Sequence, residues 1–243
     1  MQKFTLTIKS YMIIFLAIIA ISSILFTIKN YSFFIQIILA PLFAALIDLL
    51  ITYVKEKKLF LPSSAIISGL FIAVIFAQLP LHILFIISLI AIVSKHVIKI
   101  HGRHIFNPAA FGIVVGGLIF GYATSWWAVS LLVIPLGLFI VYKQRKWRLA
   151  FSFLVTYFIL VVLTNLSSLS NIMLLDTTAI FFALFMLIEP MTSTYTKKAM
   201  IVQGTVVGVL VTVFRTFLPQ VDLFLASLLV ANIFVEIMNK RLR

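Results

Sequence analysis

The 243-residue chain contains no cysteine, which excludes disulfides, thiolate metal sites and cysteine-held iron–sulfur clusters. Acidic residues are scarce, 6 Asp and Glu against 19 Lys and Arg, and charged residues together reach only 10%. So little charge cannot cover a water-facing surface. With 63% hydrophobic residues and a mean hydropathy of +1.24, a water-soluble globular core is excluded as well.

What the chain has instead is apolar runs. The hydrocarbon core of a bilayer is roughly 30 Å thick and takes about 20 apolar residues per spanning helix. Ten segments meet or approach that length: 11–27, 33–54, 62–79, 80–99, 107–121, 125–142, 147–164, 173–190, 198–217 and 219–238. Lys3 and Lys9 give the first segment the outline of a secretory signal. Nine further apolar segments follow it closely, so a retained first helix is expected. The expectation is an all-α polytopic membrane protein, a single transmembrane domain over 1–243.

The net charge of +13 is distributed by side. Lys3 and Lys9 precede the first segment; Lys55, Lys57 and Lys58 follow the second; Lys95, Lys99 and Arg103 close the fourth. Lys143, Arg145, Lys146 and Arg148 follow the sixth, Lys197 and Lys198 the eighth, and Lys240, Arg241 and Arg243 the tenth. These are 17 of the 19 basic residues, and ten spans put all of them on one side. Only Lys29 and Arg215 fall on the other. Because positively charged loops stay cytoplasmic, both termini are expected in the cytoplasm of a bacterial-type cell membrane.

Ten helices with both ends inside divide into five plus five, halves of about 1–122 and 123–243, the second inverted. Equivalent helices should then echo one another. Residues 63–71 read SSAIISGLF and 177–185 read TTAIFFALF, so Ser63/Thr177, Ser64/Thr178 and Gly69/Ala183 correspond. Each stretch opens on a hydroxyl pair able to cap free backbone N–H groups and closes near a proline, Pro80 or Pro190. One reading is a pair of short helices whose positive N-terminal ends face a central site; the other is ordinary capping of two similar apolar helices. Gly112-x3-Gly116, Gly117-x3-Gly121 and Gly204-x3-Gly208 predict close helix contacts.

Ionisable groups at membrane depth are costly and need a reason. Asp48 is the one acid well inside a span, where it serves ion movement or pairs structurally with Lys55 or water. Asp176, Glu189, Asp222 and Glu236 sit near helix ends, and Glu56 in a loop. In SKHVIKIHGRHIFNPAAFG (94–112), Asn107 and Pro108 form a helix start with Asn as N-cap and Pro at the first position. The basic cluster before it, with His96, His101 and His104, suits anionic lipid headgroups, a phosphate or a partner subunit. No carboxylate or cysteine lies nearby in sequence to complete a metal shell, so no metal site is expected. The matching junction FMLIEPMTSTYTKK (185–198) ends a helix at Glu189-Pro190 and turns at Met191-Thr192-Ser193. Its hydroxyls either bind a cofactor or satisfy the free carbonyls of the helix end.

The segments SSAIISGLFIAVI, GRHIFNPAAFG, FALFMLIEPMTS, VQGTVVGVLVTVFR and LLVANIFVEIMN, in that order, resemble the D subunit of the Rnf electron-transport complex and the homologous B subunit of the sodium-pumping NADH:quinone reductase. FNPAAFG is the strongest marker, with EPMTS standing for the family's usual Asp-Pro turn, and the resemblance runs from about 33 to 238. It implies ten helices in two inverted halves, related to urea and ammonium transporters. It also implies a flavin-bearing membrane subunit that couples electron transfer to sodium or proton movement, with other membrane and peripheral subunits as partners.

One departure concerns the flavin. The family attaches FMN to the threonine of a Ser-Gly-Ala-Thr-like motif on the extracytoplasmic side; here that connection is Gly121-Tyr122-Ala123-Thr124-Ser125, and Ser-Gly-Ala-Thr is absent. Thr124 is the position a covalent FMN would take. Otherwise FMN or riboflavin binds without a covalent bond, or is lost. A non-covalent site would draw on Ser63, Ser64, Ser68, Gly69, Asn107, Pro108, Thr177, Thr178, Glu189, Thr192 and Ser193. The alternative function is a redox-free transporter or channel for a small solute on the same architecture.

Overall fold

The computed structural model describes residues 7–128, 130–164, 177–218 and 220–242. Lys3, Asp176, Arg243 and the first residues of the expected 173–190 span lie outside the described residues. Among the described residues the chain forms ten α-helices and one small hairpin. The helices are α1 Ile8–Ser22, α2 Phe33–Glu56, α3 Ser63–Ile75, α4 Leu81–Val97, α5 Pro108–Phe120, α6 Val133–Gln144, α7 Trp147–Thr164, α8 Thr177–Phe181, α9 Lys197–Phe217 and α10 Leu223–Arg241. The hairpin, β1 Lys99–Ile100 with β2 Arg103–His104, lies between α4 and α5. A π-helical turn extends α1 to Ile28, and another carries α8 on to Met186.

Five of these elements are long and apolar enough to cross a membrane: Ile8–Ile28, Phe33–Glu56, Trp147–Thr164, Lys197–Phe217 and Leu223–Arg241. The other five apolar helices have 10–17 residues. At about 1.5 Å rise per residue, a helix such as α3 falls short of a bilayer. Apolar segments thus lie where the sequence puts them, but among the described residues five of the ten helices are shorter than a full-length span.

The shortening has a cause in long-range hydrogen bonding. Over 62–79 the helix stops at Ile75, and Phe76 is extended. Gln36 of α2 supplies what a continued helix would have supplied: its Nε2 donates to Ala73 O (2.9 Å) and Phe76 O (3.1 Å), and its Oε1 accepts from Leu79 N (2.9 Å). Over 125–142 the helix begins only at Val133. The residues before it are engaged with the end of α3: Ser125 N and Trp126 N donate to Ile75 O at 2.8 and 2.9 Å, Trp127 Nε1 donates to Ala73 O at 2.8 Å, and Phe76 bridges to Thr124. Irregular backbone is tolerable at this depth because protein, not lipid, surrounds it; Phe76 is fully buried. Pro80, expected to close α3, instead stands at the N-cap position of α4.

Helix faces sort by partner. On α2 the buried residues Phe33, Gln36, Ile37, Ala40, Ala44, Ile47, Asp48 and Thr52 recur every three or four positions, while Ile35, Ile38, Leu42, Leu46 and Leu50 point outward. Both faces are apolar, and the polar groups are on the inner one, the pattern of a helix with lipid outside and protein inside. The molecule is a predominantly helical, multi-pass membrane protein. Its centre is α3 with α8, whose inner residues Phe71, Phe181, Phe182 and Phe185 are buried. Phe71 meets Phe181 edge-on at 6.2 Å, so the two stretches that echo in sequence touch in space.

Small residues permit the closest contacts. A Cβ on Gly69 would overlap the α2 backbone at Ala40 and Pro41. Gly112 and Gly116 lie against Ala91 and Ile87 of α4, and Gly204 and Gly208 against α7. Gly121 serves differently, ending α5 with φ +73°.

Candidate functional site

The hairpin turns on two residues with positive φ, His101 (49°) and Gly102 (77°), the requirement of a two-residue loop whose twist matches its strands. It pairs Lys99 with His104 and Ile100 with Arg103, leaving Arg103 exposed and His104 buried. Asn107 then caps α5, its Oδ1 accepting from Ala110 N at 3.0 Å, with Pro108 in the first turn, as the sequence predicts.

The second junction, after α8, is held together by Glu189. Its backbone O accepts from Thr192 N (3.3 Å), Ser193 N (3.1 Å) and Ser193 Oγ (2.6 Å), and Thr192 Oγ1 donates to Glu189 Oε2 at 2.8 Å. Further on, Thr194 N donates to Gln203 Oε1 (2.8 Å), Tyr195 N to Asn239 Oδ1 (2.9 Å), and Lys146 Nζ to Thr194 O. Burial pushes the Lys146 amine down to about 8.

The two junctions meet. Asn232 of α10, with its amide turned so that both ends find partners, donates to Leu228 O (3.2 Å) and Thr192 O (3.0 Å) and accepts from Asn107 N (3.1 Å). Between hairpin, turn and α10 lies a cavity of about 370 Å³. Its walls include His104, Thr192, Ser193, Asn232 and Asn239, with Met191, Tyr195 and Ile233 as apolar surface and His101, Arg103, Glu236 and Lys240 also lining it. Glu236 is shared by Lys240 (2.7 Å) and His101 (3.1 Å). His104 Nε2 is buried without a hydrogen bond, 3.6 Å from Glu189 Oε1.

Two other polar clusters occupy the interior. Asp48, fully buried, is held by Lys95 Nζ (2.7 Å) and His96 Nε2 (2.6 Å), and Lys95 also donates to Ser64 Oγ (2.8 Å). The carboxylate is paired with α4, not with Lys55. Asp222 caps α10 through Leu225 N (2.8 Å) and accepts from Thr124 Oγ1 (2.6 Å) and Trp126 Nε1 (2.7 Å). Burial raises the Asp222 carboxyl above the usual range, and the bonds from Thr124, Leu225 and Trp126 oppose the rise.

The residues singled out in the sequence therefore separate. Thr192 and Ser193 line the cavity, Glu189 borders it at His104, and Asn107 is tied to it through Asn232. Pro108 is buried at the start of α5. The start of α3 lies elsewhere: Ser64 belongs to the Asp48 cluster, Ser68 Oγ donates back to Ser64 O (3.1 Å), Ser63 Oγ faces Leu61 O (3.4 Å) and Gly69 abuts α2. Neither hydroxyl caps α3, whose N-cap position is Pro62. Thr177 and Thr178 open α8 at the end remote from the cavity. Thr124 is bound to Asp222. Sequence reasoning missed Asn232 and Asn239, which a seven-residue spacing inside VANIFVEIMN would have marked as one polar face of an apolar helix.

Comparison with known proteins bears on the same elements. The family model described as NQR2, RnfD, RnfE matches residues 116–243, more than half of the chain and inclusive of the EPMTS turn and Asn232; FNPAAFG lies before it. The chain is 32% identical over 147 residues, 57% of its length, to the D subunit of the ion-translocating oxidoreductase complex of Cronobacter sakazakii, and covers 41% of that protein. It is 27% identical over 125 residues, 49% of its length, to the protein of the same description in Haemophilus influenzae, and covers 34% of it. It thus spans less than half the length of these relatives. With more than half of its residues matched, the junction turn and α10 among them, the chain belongs to the NQR2, RnfD, RnfE family.

Proposed function

We propose that the chain is a membrane subunit of an ion-translocating oxidoreductase complex and holds FMN or riboflavin, without a covalent bond, in the cavity between the hairpin and the Glu189–Tyr195 turn. The observation that carries this reading is Asn232, which joins the FNPAAFG and EPMTS junctions over one cavity, in a chain whose relatives are named as such a subunit. A volume of about 370 Å³ falls within the range of small-molecule sites, roughly 300–1,000 Å³.

The donor set suits a flavin. His104 Nε2 is an unsatisfied buried group in the wall, Ser193 and Asn239 carry polar atoms beside it, and Met191 and Ile233 offer apolar surface for a ring. A bound flavin supplies one- and two-electron transfer, and the protein's part is binding, orientation and electrostatics. Thr192 keeps the Glu189 carboxylate turned toward His104, and Asn232 fixes the spacing of the two walls. Thr124 has its hydroxyl committed to Asp222 and is left without flavin.

The architecture proposed with it is two inverted five-helix halves. Several contacts support this: α1 touches α6, α5 touches α10, and the pairs α4–α5 and α2–α4 recur as α9–α10 and α7–α9. The N-caps Asn107 and Asp222 also occupy matching places in the two halves. By the charge asymmetry the cavity side and both termini are cytoplasmic.

The test is to purify the chain with the proteins that accompany it from its native membrane, extract with acid, and identify flavin and partners by mass spectrometry. Extractable flavin, lost in a His104→Leu, Thr192→Val variant, is expected. Absence of flavin, together with solute flux by the isolated chain in proteoliposomes, would overturn the proposal in favour of a redox-free transporter.

A further inference from the structure

We infer that a small monovalent anion, a halide or one of its size, binds inside the protein beside Thr194, where the Lys146 ammonium, the Gln203 side-chain amide and the Thr194 hydroxyl together have more protons to give than the protein accepts. None of these three residues lines the cavity beneath the hairpin, and the site stands without the flavin reading. It is built from three chain segments: Lys146 links α6 to α7, Thr194 lies in the turn before α9, and Gln203 belongs to α9. Lys146 Nζ donates to Thr194 O, and Thr194 N donates to Gln203 Oε1 at 2.8 Å. The second bond orients the amide, because a backbone donor holds Oε1 toward itself and Nε2 must face away. Thr194 and Gln203 are at 0% exposure and Lys146 at 7%. Yet Gln203 Nε2 and Thr194 Oγ1 are buried without a hydrogen-bond partner among the described residues.

An ammonium carries three N–H groups, a side-chain amide two and a hydroxyl one. With one ammonium proton given to Thr194 O, the rest are left facing a spare acceptor only at the Thr194 hydroxyl oxygen. A water placed here would accept from some of these donors but bring protons of its own, so the surplus would persist, whereas an anion only accepts. The same donors refuse a metal ion. Charge argues in the same direction. An exposed cation in so basic a chain needs no partner, since water surrounds it; a buried one keeps its desolvation cost until a negative charge comes close. Lys146 is buried and makes no ion pair among the described residues. Burial accounts for the fall of its amine to about 8, with no carboxylate acting against it.

The measurement is thermal unfolding of the full chain in zwitterionic nanodiscs, in neutral buffer whose gluconate, too bulky for a buried knot, is replaced by chloride or bromide at constant ionic strength. The melting temperature should rise with halide and then level off, as a ligand of the folded state stabilises by mass action. In Lys146→Gln half-saturation should need at least about ten-fold more halide, the worth of one charge-assisted bond. Gln203→Glu keeps the acceptor for Thr194 N and puts a carboxylate oxygen in place of Nε2. With that built-in anion the halide response should vanish while unfolding stays cooperative. Bromide, located by its anomalous scattering, should lie within hydrogen-bond reach of all three groups.

A wild-type melting temperature that ignores halide, or follows it without levelling off, overturns the site and leaves it to water. An unchanged saturable response in Lys146→Gln or in Gln203→Glu puts the anion elsewhere, among the exposed basic residues, and overturns it equally. If Lys146→Gln fails to fold, Gln203→Glu decides alone, and if neither folds the bromide position in the wild type does: bromide beside Thr194 upholds the inference, and bromide found only at the surface ends it.

Discussion

Asp48 on α2 and Lys95 on α4 meet at 2.7 Å, the carboxylate at 0% exposure and the lysine at 15%. His96 takes the other carboxylate oxygen and Ser64 a further ammonium proton, so one buried acid ties α2, α3 and α4 together. Breaking such a pair from one side leaves a buried charge without its partner and costs about 3–5 kcal/mol, whereas replacing both by apolar groups is often near neutral. Asp48→Leu or Lys95→Met alone should therefore destabilise strongly, and the two together should recover most of the loss. Unfolding in detergent, followed as a double-mutant cycle, measures the coupling. Additive effects would remove the lock.

The glycine contacts predict an order of severity. A methyl at Gly69 meets the α2 backbone at Pro41, which cannot move aside, while one at Gly116 meets Ile87 Cγ1 at 2.6 Å, a side chain that can rotate. Overpacking costs typically about 1–3 kcal/mol. Gly69→Ala should sit at or above the top of that range and Gly116→Ala near the bottom, read from thermal denaturation of the two variants side by side.

Lys146 predicts a rise of stability on the alkaline side. Its amine is lowered from 10.5 to about 8 by burial, so below about pH 8 it is charged in folded and unfolded chains alike and the burial penalty is fully felt. Between about 8 and 10.5 the folded chain releases its proton first, and stability increases with pH by at most about 3 kcal/mol. Lys146→Met should remove that rise. A melting temperature plotted against pH for both proteins provides the comparison, and parallel curves would contradict the assignment.

Asp222 predicts the opposite sense. Its carboxyl is raised by burial, so the folded chain binds the proton more tightly than the unfolded chain, and the wild type loses stability as pH rises through the raised value. Asp222→Asn should lack this dependence, so the wild type should gain on it as the solution is acidified. Asp222→Ala removes the α10 cap and strands the Thr124 and Trp126 donors. Its cost should exceed the roughly 1 kcal/mol of a cap alone.

Much of this molecule is local information, and local information is what a sequence exposes. The apolar runs mark the described helices, Asn107-Pro108 marks the start of α5, and the likeness of SSAIISGLF to TTAIFFALF singles out α3 and α8, which touch through Phe71 and Phe181. The membrane environment followed from composition alone, because no other solvent tolerates so apolar an exterior.

Where helices end and which polar groups pair were decided by tertiary structure. Apolar runs continue past Ile75 and begin before Val133, yet the helix does neither, because Gln36 and residues 125–127 bond the backbone groups that a longer helix would have used. Asp48 found Lys95 and His96, some 47 residues away, rather than nearby Lys55, and Asn232 reached both junctions from the far end of the chain. Helical periodicity is set by neighbours within a turn or two, whereas a buried hydrogen-bonding group is satisfied by whatever folding brings within 3 Å or so, and that choice is made only when the helices assemble.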